Sequence, residues 1–129
     1  MHVLVGEMVE PKPIGAHLVS WKGWVLLDDL KKQAAMPMTT FYISETQLKE
    51  MLRVFETFET NYNLEDNHVY AILRREKNEP VSPLMVDWRI ALSENEALNE
   101  TEIVDSWEIV SVFSKTPLEQ WLTKQPKQS

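Results

Sequence analysis

Apolar residues recur at Leu48, Met51, Leu52, Phe55 and Phe58, a spacing that lays one stripe along a helix. Just upstream stands Ser44-Glu45-Thr46-Gln47, a capping box in which Ser44 accepts from the Gln47 amide and Gln47 reaches back. Glu45 and Lys49 add a favourable pair one turn apart. The pattern predicts a main helix over 44–60. A second box, Thr116-Pro117-Leu118-Glu119, has proline at the first helical position and predicts a short C-terminal helix through Trp121 and Leu122.

Elsewhere the period is two. Met1 to Val9 and Thr39 to Ile43 are compatible with strands, the first stopped by Pro11 and Pro13. His68 to Arg75 predicts a third strand, followed by a loop over 76–83. Leu84, Val86, Trp88, Ile90 and Leu92 alternate with Met85, Asp87, Arg89 and Ala91, which predicts a dry face and a wet one. Ile103 to Phe113 reads as one long strand with Ile103, Trp107, Ile109 and Phe113 on one side. Valines at 104, 110 and 112 partly cover its other side, as in a central strand or a homodimer contact. The segment 17–27 admits two readings, a hairpin turning at Lys22-Gly23 or a strand from about Trp24 leading into a short helix at Asp28-Asp29. The second is preferred, because Lys-Gly is a modest turn signal and acids suit a helix start. No internal repeat is visible.

A helix followed by three successive strands argues for meander pairing rather than β-α-β units. The expected fold is α+β, an antiparallel sheet of about four to six strands with the main helix on one face. At 129 residues one domain is expected over 1–129, with 124–129 a frayed tail.

Composition narrows the chemistry. There is no cysteine, so disulfides, thiolate metal sites and cysteine nucleophiles are excluded. Three glycines exclude a phosphate-binding loop or a dinucleotide fingerprint, and the three histidines are scattered. No catalytic residue, cofactor or metal site is therefore assigned. The first residues have no basic leader, and no apolar run has the length of a membrane span, so a cytoplasmic protein without a membrane partner is expected.

Charge supplies the main functional clue. Of 20 acids against 13 lysines and arginines, six lie between Ile90 and Ser114 with no cation among them. Most of the net charge of -7 thus sits in 25 residues. Such a field attracts cationic partners and repels nucleic acid. Glu94, Glu96, Glu100 and Glu102 are the expected partner-binding residues of a non-enzymatic acidic module, of inhibitor, immunity or regulatory type. The bland alternative is a solvated connection in which Ser93 and Glu96 cap a helical turn. Trp21 and Trp24 are candidates for a small-ligand or peptide pocket mouth, since tryptophan is enriched at binding hot spots. Their bland reading is core, as for Trp88, Trp107 and Trp121. A third reading is a small enzyme whose Asp, Glu, His and Tyr residues converge only in the fold. Were the Lys22-Gly23 hairpin formed, His17 would face Asp28. Arg74, Arg75 and Lys77 are too few to hold a nucleic-acid backbone and read as solubilising or as internal partners of acids.

Overall fold

A computed structural model of the chain describes residues 1–13, 15–79, 83–102 and 104–125. The class is α+β; among the described residues every strand pairing is antiparallel, but six strands form two sheets of three rather than one. In the first, β1 (His2–Pro11) lies between β2 (His17–Leu26) and β3 (Thr40–Ser44). In the second, β4 (His68–Glu76) lies between β5 (Met85–Ala91) and β6 (Trp107–Phe113). The helices are α1 (Leu27–Lys31), α2 (Glu45–Asn61), α3 (Glu94–Asn99) and α4 (Lys115–Thr123).

This order is a duplication that the sequence pattern conceals. Each half runs strand, strand, short helix, strand, longer helix, with its first strand central in its sheet. Registers match as well. Leu4 sits between Trp24 and Ile43, and Ala71 sits between Trp88 and Phe113. One residue beyond Ile43 and Phe113, Ser44 and Ser114 are the N-caps of α2 and α4. Seventy positions apart, Thr46, Leu48 and Leu52 recur as Thr116, Leu118 and Leu122. Unequal loops and divergent side chains hide the repeat, because each half needs only apolar residues at equivalent inward positions.

The two halves share one core. Leu4, Phe41, Ile43, Leu48 and Phe55 cluster with Ala71, Leu73, Val110, Phe113 and Leu118, all buried. The helix packing is exchanged between halves. Trp88 of β5 meets Phe55 of α2 edge-on at 4.9 Å and Phe58 at 5.9 Å. Conversely Trp21 of β2 lies 5.9 Å from Trp121 of α4, besides 5.4 Å from Phe41 and 5.3 Å from Phe113. Each half therefore lends its long helix to the other's second strand. A smaller cluster lies on the opposite face of the second sheet, where Ala97 and Leu98 of α3 and Ala16 cover Ile72, Ala91 and Ile109.

Several local expectations change for definite reasons. Lys22-Gly23 is a β-bulge and not a turn. Val5 pairs with Gly23 and Gly6 with Trp21, leaving Lys22 as the extra residue, and Gly23 takes φ +103°, which favours glycine. The β2 strand thus begins at His17 rather than near Trp24, and His17 faces Pro11 rather than Asp28. A bulge in the second sheet shifts the register between Leu73 and Arg74, which pair with Ser111 and Ile109. It sends Ile109 to the α3 side and Phe113 to the main core, not to a common face. The β6 strand starts only at Trp107 and is an edge strand of its sheet, while the expected start at Ile103 lies outside the described residues. The predicted dry face of β5 holds at Val86 and Trp88 but fails at its end. Ile90 and Leu92 are exposed and Ala91 is buried, because α3 covers the other face there.

Both helix starts are informative. Ser44 Oγ accepts from the Gln47 amide at 3.1 Å, but the Gln47 side chain does not reach back; it donates to the Leu84 carbonyl at 3.3 Å. Lys49 pairs with Glu45 at 2.6 Å. The expected Thr116 box does not form. Helix α4 starts two residues earlier at Lys115, and Pro117 sits in the first turn, where a missing N–H costs no helical hydrogen bond. Lys124 caps α4, and most of the expected tail falls outside the described residues.

Glycine matters at one close approach. A Cβ on Gly6 would stand 2.5 Å from Cζ of the buried Phe41 ring, which is itself held by Trp21. Gly6→Ala is expected to lower stability by about 1–3 kcal/mol through overpacking. Phe55→Ala, by opening a cavity beneath Trp88, is expected to cost about 3–5 kcal/mol. Urea unfolding followed by tryptophan fluorescence and by far-ultraviolet dichroism checks both. The transitions should coincide, since the shared core couples the halves; separate transitions would contradict it.

Candidate functional site

The acidic run does not form a uniform anionic face. Glu94 opens α3 and pairs with Lys12 from the β1–β2 turn at 3.1 Å. Burial, and then the charge of Glu94, holds the Tyr70 phenol above its ordinary ionisation range. Glu96 serves the helix start: Ser93 Oγ accepts from its amide at 3.2 Å, and its carboxylate accepts from the Leu92 amide at 3.2 Å. That is the capping turn anticipated from Ser93 and Glu96. Glu108 is drawn inward, with one carboxylate oxygen 2.9 Å from Arg75 Nε and the other 3.7 Å from His17 Nε2.

Three acids remain. Glu100, Glu102 and Asp105 are exposed on the segment joining α3 to β6, and none makes an ion pair among the described residues. Glu100 is the C-cap of α3, where the helix dipole disfavours a negative charge. Helix stability therefore gives no reason for an acid at that position. Val104, between Glu102 and Asp105, is 41% exposed.

Beside this segment the end of β4 brings three cations together in different roles. Arg75 is 2% exposed, the largest fully buried side chain of the described residues. Besides Glu108 it donates to the carbonyls of Thr40 at 2.8 Å and Glu79 at 3.3 Å, and to that of Met38. A buried guanidinium survives only when its charge and donors are satisfied, and here they are. These bonds also tie the second sheet to the segment that enters β3 of the first. Arg74 lies 2.7 Å from Asp87 and donates to the Glu102 carbonyl at 2.6 Å, which anchors the acidic segment. Lys77 is exposed and makes no ion pair among the described residues. The internal-partner reading of these arginines is the one the geometry takes.

Between these groups lies a cleft of about 180 Å³. Arg74, Lys77, His17, Glu102 and Glu108 line it, and Val104, Trp107 and Ile109 supply apolar wall. Trp107, grouped with core tryptophans on its periodicity, is thus half-buried at a cleft. Its strand begins there, and a strand's first residue has neighbours on fewer sides. By contrast Trp21 and Trp24 pack against the main core while keeping part of their surface exposed. The Trp24 indole N–H is buried without a hydrogen-bond partner. Neither lines this cleft.

The structure thus brings Glu102 to a cleft, leaves Glu100 beside it on the surface, and occupies Glu94 and Glu96 with structural tasks. The converging residues that the sequence did not single out together are His17, Lys77, Trp107 and Glu108. They come from two strands and one turn, and no spacing in the chain announces them. No group of three or more potential metal ligands occurs among the described residues. No described helix is long and apolar enough to cross a membrane. No family model, curated protein or solved structure matches this chain.

Arg75→Ala would leave Glu108 without its counter-charge and three carbonyls without a donor. The expected loss is about 3–5 kcal/mol in denaturant unfolding. Lys12→Gln, which removes only a half-exposed pair with Glu94, should change stability by less than about 1 kcal/mol.

Proposed function

We propose that the protein is a non-enzymatic binding module that docks a basic protein surface through the segment joining α3 to β6. What carries this reading is the set of exposed acids with no ion-pair partner among the described residues, Glu100, Glu102 and Asp105, around the exposed Val104. The docking residues are accordingly narrowed from the four glutamates of the sequence reading. Glu94 and Glu96 contribute field at longer range, while Glu100 and Glu102 meet the partner, joined by Asp105. Unpaired rim charges of one sign speed encounter with an oppositely charged partner and fix its orientation more than they deepen affinity. An apolar side chain among them supplies the contact area that charge alone does not.

The anchoring of this segment supports the same reading. Arg74 holds the Glu102 carbonyl, and Thr101 is buried with its hydroxyl donating to the Ala97 carbonyl at 2.8 Å. A segment fixed at two consecutive residues presents its acids with little ordering cost on binding.

The test uses a lysine- and arginine-rich peptide probe and two triple variants of equal net charge. The combination Glu100→Lys, Glu102→Lys and Asp105→Lys is expected to weaken binding about tenfold or more and to flatten the salt dependence of the on-rate. The control combination Asp28→Lys, Asp29→Lys and Glu56→Lys, on exposed positions elsewhere, should change it by no more than about threefold. Equal losses in both would reduce the effect to net charge and remove the basis for a docking segment.

A further inference from the structure

The cleft beside Trp107 has a charge arrangement of which protein docking uses only Glu102. Two of its charges are paired from outside the cleft: Arg74 Nε lies 2.7 Å from Asp87, a charge pairing without hydrogen-bond alignment, and Glu108 lies 2.9 Å from Arg75. Two lining charges are left over, the Lys77 ammonium and the Glu102 carboxylate. Both are exposed, and neither forms an ion pair among the described residues, with each other or with anything else. One unneutralised cation and one unneutralised anion thus border the same small space. The cleft of similar character beside α4 differs on this point, because there Lys115 and Glu59 neutralise each other at 2.8 Å.

We infer that the cleft lined by Lys77, Glu102 and Trp107 binds a small zwitterion, an α-amino acid with an apolar side chain. Lys77 takes the ligand's carboxylate and Glu102 its ammonium group. The apolar wall of Trp107, Val104 and Ile109 receives the side chain. Size limits the class. A water needs roughly 10–15 Å³ of such space, so about 180 Å³ holds a molecule of amino-acid size. Nucleotides and most cofactors need the several hundred Å³ typical of larger pockets. Charge limits it further. With Arg74 and Glu108 already balanced, the lining has no net excess of either sign to favour a simple anion or a simple cation. A divalent cation would need several oxygen ligands, and no group of three or more potential ligands is present among the described residues.

Calorimetric titration of the full chain tests this with leucine and phenylalanine, each alongside its N-acetyl form and its amide. The free amino acids are expected to bind, and each capped form, lacking one charge, is expected to bind at least about tenfold more weakly. Lys77→Gln should abolish the preference for the free acid over the amide but keep that over the N-acetyl form. Glu102→Gln should do the reverse. Both side chains are exposed, so neither change disturbs the core. Absence of binding at millimolar concentration, capped forms binding as well as the parents, or variants that fail to exchange preferences as stated would each overturn the assignment. Glu100 and Asp105 do not line the cleft, so reversing them alone tests docking without touching this site, and the two readings fail separately.

Discussion

The exchange of tryptophan packing between the two halves is the constraint on which the rest of the molecule rests. A three-stranded sheet with one helix is a poor core on its own, since its inner face is too large for its own helix to cover. Placing α2 under Trp88 and α4 under Trp21 closes both inner faces at once. The cost is independence, because neither half can bury its second strand without the other's helix. Large rings suit the task, offering much area at fixed geometry and packing edge-on or tilted at 4.9–5.9 Å.

Arg75 fastens the same junction by a different means. Its guanidinium replaces water with Glu108 and three carbonyls, two of them from the segment that enters β3. Such a pair adds little to stability compared with an apolar side chain of equal volume, but it punishes misplacement of either sheet. It also fixes Glu108 at the mouth of the cleft and, through the neighbouring Arg74, the path of the acidic segment. The architecture of the core and the display of charge are therefore coupled at one corner, where β4 ends and β6 begins.

One departure from perfect repetition falls at that corner too. In the first half, β3 follows a connection that includes Pro37, whereas in the second half the connection from α3 to β6 carries Glu100, Glu102 and Asp105. Equivalent positions in a duplicated fold face the same packing demand but not the same surface demand. Hence Leu48 and Leu118 match while the connections diverge.

How much of this was legible in the chain follows from the range of each interaction. The α2 stripe, the Ser44 cap, the Ser93–Glu96 turn and the strand character of most other segments depend on neighbours within four residues, so the sequence determined them. It also determined the segregation of negative charge. Three register shifts escaped it: an extra residue at Val9, Lys22 or Val110 alters which face later residues take, and the cue is only a partner strand elsewhere in the chain. The division into two sheets, the duplicated order and the burial of Arg75 were decided by tertiary structure alone. So was the fate of each carboxylate, because whether a charge is spent or left free depends on which distant lysine or arginine the fold carries within 4 Å.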